Sequence, residues 1–184
     1  MHLGTLTLTT QVCTCDILDD ADITSNLADL VGSLPEIRNI KIAPPCYSIR
    51  ASIHASFFAK LCSFPRLVEQ LQCLNVSTHS FSNESILALS MFTALQKLCL
   101  VCPKLLLNSE NLSQLCVLKG LRELHIPFMT KDDDFNWLAE LTHLQVLSMS
   151  MTCSPEQLPQ SPQVVCITCC FYVELPQLLY SISP

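Results

Sequence analysis

Large apolar residues recur along the chain in a fixed pattern, L-x-x-L-x-L, separated by stretches of a different rhythm. One copy lies in "TALQKLCLVC", at Leu95, Leu98 and Leu100. Others are "LRELHI" at Leu121, Leu124 and Ile126, and "LQVLSM" at Leu144, Leu147 and Met149. Upstream stand "LGTLTL" at Leu3, Leu6 and Leu8, "IRNIKI" at Ile37, Ile40 and Ile42, and "LQCLNV" at Leu71, Leu74 and Val76. A looser copy, "VVCITC", has Val164, Ile167 and Cys169. Five of these seven carry another apolar residue three positions earlier: Leu34, Val68, Phe92, Leu118 and Leu141. The steps between copies are 34, 34, 24, 26, 23 and 20 residues, so the pattern is strong in type and loose in period.

Between the copies the apolar spacing turns helical. "ITSNLADLVGSL" puts Ile23, Leu27, Leu30, Val31 and Leu34 on one face, and "SIRASIHASFFAKL" does so with Ile49, Ile53, Phe57 and Leu61. "SENLSQLCVLKGL" predicts a helix with Ser109 as N-cap and Leu112, Leu115 and Leu118 inward. "TKDDDFNWLAEL" predicts one that opens at Thr130, with Asp132, Asp133 and Asp134 at the positive end of its dipole and Phe135, Leu138 and Leu141 facing the core.

A short strand followed by a helix, repeated, cannot bury its apolar face alone; stacked units make one continuous core. In this the chain resembles the leucine-rich repeat family, ribonuclease-inhibitor-like subtype, over nearly its whole length. "LADLVGSLPEIRNIKI" and "FFAKLCSFPRL" resemble the C-terminal repeat region of NACHT-type (NOD-like) innate immune receptors. The resemblance implies an α/β leucine-rich-repeat solenoid, a horseshoe with parallel strands on the concave face and helices on the convex face. It implies a single array over residues 1–184, of about seven irregular repeats starting near 3, 37, 71, 95, 121, 144 and 164. The family usually has Asn or Cys three residues after the last Leu of the pattern. Here those places hold Gln11, Pro45, His79, Pro103, Met129 and Thr152, with Cys46, Cys102 and Cys153 one position away, so uneven loops are expected. A period of 34 also suits the tetratricopeptide repeat, but its Trp, Gly, Tyr and Pro signature is missing.

Composition narrows the function. Apolar residues make up 49% and charged residues 14%, the opposite balance to a disordered chain. A net charge of −6 gives no basic footprint, so no nucleic-acid partner is expected. The longest apolar runs are cut by Lys60, Pro103 or Lys104, short of the ~18 to 20 residues of a membrane span. The start "MHLGTLTLTTQVCTC" has no signal-peptide form. Twelve Cys in such a chain read as reduced thiols of a cytoplasmic protein, and the sequons at Asn75, Asn83 and Asn111 then read as chance.

Catalytic and metal chemistry find little support. Cys99 and Cys102 could join Cys166 and Cys169 in a zinc site, but three strands at ~4.8 Å each put the pairs ~14 Å apart. The central outward positions of the strands read Thr7, Lys41, Asn75, Cys99, His125, Ser148 and Thr168. Cys99 beside His125 with Asn75 suggests a Cys/His/Asn nucleophile, but with Cys in the middle the Asn cannot orient the imidazole. No G-x-S-x-G and no Gly-rich phosphate loop occurs. No enzyme activity, no cofactor and no metal is therefore expected.

A surface remains. Val101, Phe128, Met151 and Phe171, one from each of four successive repeats, form an expected apolar stripe on the concave face, flanked by Arg122 and His125. The expected function is non-catalytic protein recognition on that face. By resemblance this is the ligand-sensing or autoinhibitory repeat region of a NOD-like innate immune receptor, or a fragment of one. A ribonuclease-inhibitor-type scaffold that blocks an enzyme is the alternative. It calls for an acidic face against a basic target, whereas the strand rows carry Arg38, Lys41, Lys97 and Arg122 against one acid, Glu123. The first copy begins at Leu3, and "ELPQLLYSISP" ends without a polar cap. The chain is therefore expected to be a piece of a longer array and to self-associate through uncapped ends, unless the stretch from Thr10 to Thr24 folds back as a cap.

Overall fold

The computed structural model describes residues 5–9, 21–34, 36–43, 53, 55–78, 81–102, 109–129, 136–151 and 166–169. Seven strands form one sheet in chain order: β1 (Thr5–Thr9), β2 (Asn39–Ala43), β3 (Cys73–Ser77), β4 (Lys97–Val101), β5 (Glu123–Met129), β6 (Val146–Met151) and β7 (Cys166–Cys169). Every neighbouring pair is parallel. Parallel neighbours need a crossover, and from β1 to β6 the described residues place helices in it. These are α1 (Ala21–Ser33) before β2, α2 (Ala55–Cys62) and α3 (Pro65–Gln70) before β3, and α4 (Asn83–Leu89) before β4. Before β5, α5 (Ser109–Leu112) runs into a 3-10 helix, Ser113–Val117; a second 3-10 helix, Asn136–Glu140, precedes β6. The fold is α/β, a parallel sheet alternating with helices. Among the described residues no helix is long and apolar enough to cross a membrane.

The register puts Leu6, Ile40, Leu74, Leu98, Leu124, Leu147 and Ile167 in one row across the sheet. From Ile40 to Leu147 this row is buried. Alternate strand residues are half-buried or exposed, because successive side chains point to opposite faces and one face meets the core. The approach to each of β4, β5 and β6 explains the apolar residue three places ahead of the pattern. Leu95 N–H donates to Phe92 O (3.0 Å) and Phe92 N–H to Leu89 O (3.2 Å). Leu121, Leu118 and Leu115 repeat this chain of bonds, as do Leu144, Leu141 and Leu138. Turns of three residues bring every third side chain to the same side. All nine of these residues are buried.

The same geometry corrects the expected helix over 109–121. Its apolar residues fall at strict intervals of three, which suits a 3-10 path, and only its first four residues are α-helical. Ser109 is the first helical residue rather than the cap. A cap does form at Ser82, whose hydroxyl accepts from Ser85 N–H (3.3 Å). On α1, Ala28 and Val31 take the core side, leaving Leu30 58% exposed and Leu34 exposed beyond the helix end; neither faces inward as the pattern predicted. Helix α2 starts only at Ala55, with Ile53 buried ahead of it, and Ile49 lies outside the described residues. Thr130, Asp132, Asp133, Asp134 and Phe135 also lie outside them.

Successive strands are tied at their entries by one repeated device. Arg38 O accepts from both Gln72 N–H (2.8 Å) and Cys73 N–H (2.9 Å). Gln72 O takes Gln96 and Lys97, Gln96 O takes Arg122 and Glu123, and Arg122 O takes Gln145 and Val146 in the same way. At the strand exits a buried polar position stands one residue earlier than expected. Thr78 is buried and its Oγ1 accepts from Ile53 N–H (3.2 Å), while Cys102 is buried in the next unit.

Phe64, at the α2–α3 junction, packs where α1 carries Gly32. A Cβ there would stand 2.3–2.4 Å from the Phe64 ring. Gly→Ala inside a helix ordinarily gains up to ~1 kcal/mol. Here overpacking reverses the sign, and Gly32→Ala should lose about 1–3 kcal/mol in urea unfolding. Gly120→Ala, whose added carbon comes no closer than 3.7 Å, is the matched control and should be near neutral.

Candidate binding face

Strand residues that do not point into the core form rows on the face opposite the helices, the open face. One row runs Asn39, Cys73, Lys97, Glu123 and Val146; the next runs Lys41, Asn75, Cys99, His125 and Ser148. Parallel pairing in unbroken register creates these rows, so each side chain sits beside its counterpart at ~4.8 Å per strand. Beyond them Ser77 pairs with Val101, which is 49% exposed at the strand exit.

The electrostatic centre is Glu123. Its Oε2 accepts from Lys97 Nζ across the β4–β5 pair. The same oxygen lies 3.7 Å from His125 Nε2, too long for a hydrogen bond. The Lys97 bond holds the Glu123 carboxyl below its usual range and lifts Lys97 above its own. Cys73 and Cys99 flank Lys97. Burial raises both thiols, outweighing the pull of the Lys97 charge toward thiolate. On the helix side, Cys62 is pushed up to about 11 by burial, and its Sγ donates to Ala88 O (3.2 Å).

Of the residues expected to bind, Val101 and Arg122 are exposed and the His125 side chain is 31% exposed. They stand at the exit of β4, the entry of β5 and within β5. The apolar stripe is changed at β5. Past Ile126 the register slips, and Met129, not Phe128, pairs with Met151. Pro127 has no N–H to give the ladder at that point. The side chains of Phe128 and Met151, and the whole of Phe171, lie outside the described residues.

Asn75, Cys99 and His125 do stand side by side in that order, with Cys99 central. The raised Cys99 thiol is opposite to what a thiolate nucleophile needs. Cys99 and Cys166 sit on β4 and β7, and among the described residues no three His, Cys, Asp or Glu gather as metal ligands. The sequence reading passed over two features, the Lys97–Glu123 pair and the buried Thr78. The pair follows once the strands are aligned, because residues 26 apart then become neighbours. Compared with family models, curated proteins and solved structures, the chain matches none.

The Lys97–Glu123 pair has a defined pH signature. A carboxyl lowered on folding adds stability above its unfolded pKa, and this is lost as pH falls through the folded value. Lys97, raised on folding, contributes below its unfolded pKa and loses this as pH rises beyond it. The two side chains are 42% and 38% exposed, so screening keeps the contribution below about 1 kcal/mol. Glu123→Gln should lower stability slightly at neutral pH and shrink its loss below about pH 4. Urea midpoints at neutral and acid pH measure this; parallel pH profiles for the two proteins would contradict it.

Proposed function

We propose that the chain is a leucine-rich-repeat solenoid of ribonuclease-inhibitor-like type and that it acts as a non-catalytic protein-recognition module. Its resemblance to the repeat region of NOD-like innate immune receptors suggests a cytoplasmic sensing or autoinhibitory role. Support for the architecture comes from the in-register parallel neighbours and the strand-entry bonds repeated from unit to unit.

The observation that carries the functional reading is the open face itself. Successive strands present half-buried polar side chains in straight rows, bordered by the exposed Val101. Such a surface suits contact with another macromolecule. The raised Cys99 thiol weighs against nucleophilic chemistry on it. In this reading Val101, Arg122 and His125 contact the partner, with Phe128, Met151 and Phe171 as further apolar anchors. The cations on the face weigh against a basic target of the ribonuclease type.

A photo-crosslinking residue placed at Val101 should give adducts with a discrete protein partner in cells. The same residue at Leu87, 57% exposed on α4, should give none. Adducts from Leu87 alone would move the binding surface to the helices and overturn the proposal.

A further inference from the structure

The rows of the open face, with the strand entries beside them, gather positive charge in a chain whose formal net charge is −6. Arg38 stands at the entry of β2, Lys41 within it, Lys97 in β4 and Arg122 at the entry of β5. The one acid among the described residues of these rows is Glu123, already held by Lys97. Arg38, Lys41 and Arg122 are exposed and make no ion pair among the described residues. Glu36 lies two residues ahead of Arg38, before the buried Ile37. The other ion pairs, Asp29–Lys60 and Glu140–Lys119, join helix-side segments. Three exposed cations without an ion pair among the described residues thus accompany the Lys97–Glu123 pair, with Val101 as an apolar border.

We propose that the open face from β2 to β5 binds an extended acidic segment of a partner protein, with its carboxylates on Arg38, Lys41 and Arg122. This rests on the protein-recognition reading and specifies the partner's chemistry. Arg38 and Lys41 lie three residues apart at β2, ~10 Å along the strand, which an extended segment covers in about three residues. Arg38 and Arg122 lie three strands apart, ~14 Å or about four residues. A segment reaching these cations therefore needs acids three or four residues apart. A nucleic acid fits less well. Three cations are few for a phosphate backbone. The described side chains of this face also include no Phe, Tyr or Trp on which bases could stack.

Fluorescence anisotropy on the full chain tests this with three labelled probes of equal length. One is a short peptide with Glu at every third position, one is the same peptide with Gln instead, and one is oligodeoxythymidine. The Glu peptide should bind saturably, weaken as salt rises, and lose about tenfold in affinity in Lys41→Glu/Arg122→Glu. Arg66→Glu, a charge reversal at an exposed site on α3, should leave binding unchanged. The Gln peptide should not bind. Failure of the Glu peptide at low salt, or equal loss in Arg66→Glu, overturns the inference. Oligodeoxythymidine binding as tightly through the same residues also overturns it, in favour of a general polyanion site. If the Glu peptide fails while Val101 still crosslinks a partner, the recognition reading survives; adducts from Leu87 alone remove both.

Discussion

A backbone carbonyl at the entry of each strand from β2 to β5 accepts two N–H groups from the entry of the next, and the rest of the fold is arranged around that bond pair. It holds four times, from Arg38, Gln72, Gln96 and Arg122. Each bond is worth only ~0.5–1.5 kcal/mol net, but a buried polar group left unpaired costs more than that. The bonds therefore act mainly as a constraint. They fix which residue of one strand stands beside which residue of the next. The residue that supplies the carbonyl is Arg or Gln, with a long polar side chain for solvent. One residue before it and two residues after it stand apolar residues that the turn and the strand send into the core.

That constraint has consequences on both faces. Inward, Ile40, Leu74, Leu98, Leu124 and Leu147 stack in one buried row, each burial contributing roughly 1.5–3 kcal/mol. Outward, residues far apart in the chain become cross-strand neighbours, and the Lys97–Glu123 pair is the clearest product. The face proposed for binding is thus a by-product of the register that builds the core. A register slip by one residue would exchange the two faces and destroy both.

Much of this was legible in the chain. Spacing alone aligned Leu98 with Leu74 and Leu124, because each holds the same place in the repeated L-x-x-L-x-L pattern. The third-residue rhythm ahead of each strand was visible too, at Phe92, Leu118 and Leu141. Its meaning as a 3-10 turn was not, since apolar residues three apart also suit one face of an α-helix. Leu30 was misplaced for a related reason: helical spacing names an apolar stripe, but packing decides which part of it is covered. Pro127 was in plain view, yet the slip it marks depends on the β5–β6 ladder, which the chain alone does not display. The cations of the open face were readable in number, whereas the pairing of Lys97 with Glu123, which leaves Arg38, Lys41 and Arg122 as the face's cations without an ion pair among the described residues, required the aligned strands.

The strand-entry bonds are open to direct measurement by residue-resolved amide hydrogen exchange. The amides of Cys73, Lys97, Glu123 and Val146, with those of Gln72, Gln96, Arg122 and Gln145, should be protected as a set. Under native conditions they should open together, at a free energy close to that of global unfolding. Exchange of these amides at the rate of exposed loops, while the Leu98 and Leu124 amides stay protected, would show that the carbonyl pairs do not join the strands and would contradict the account.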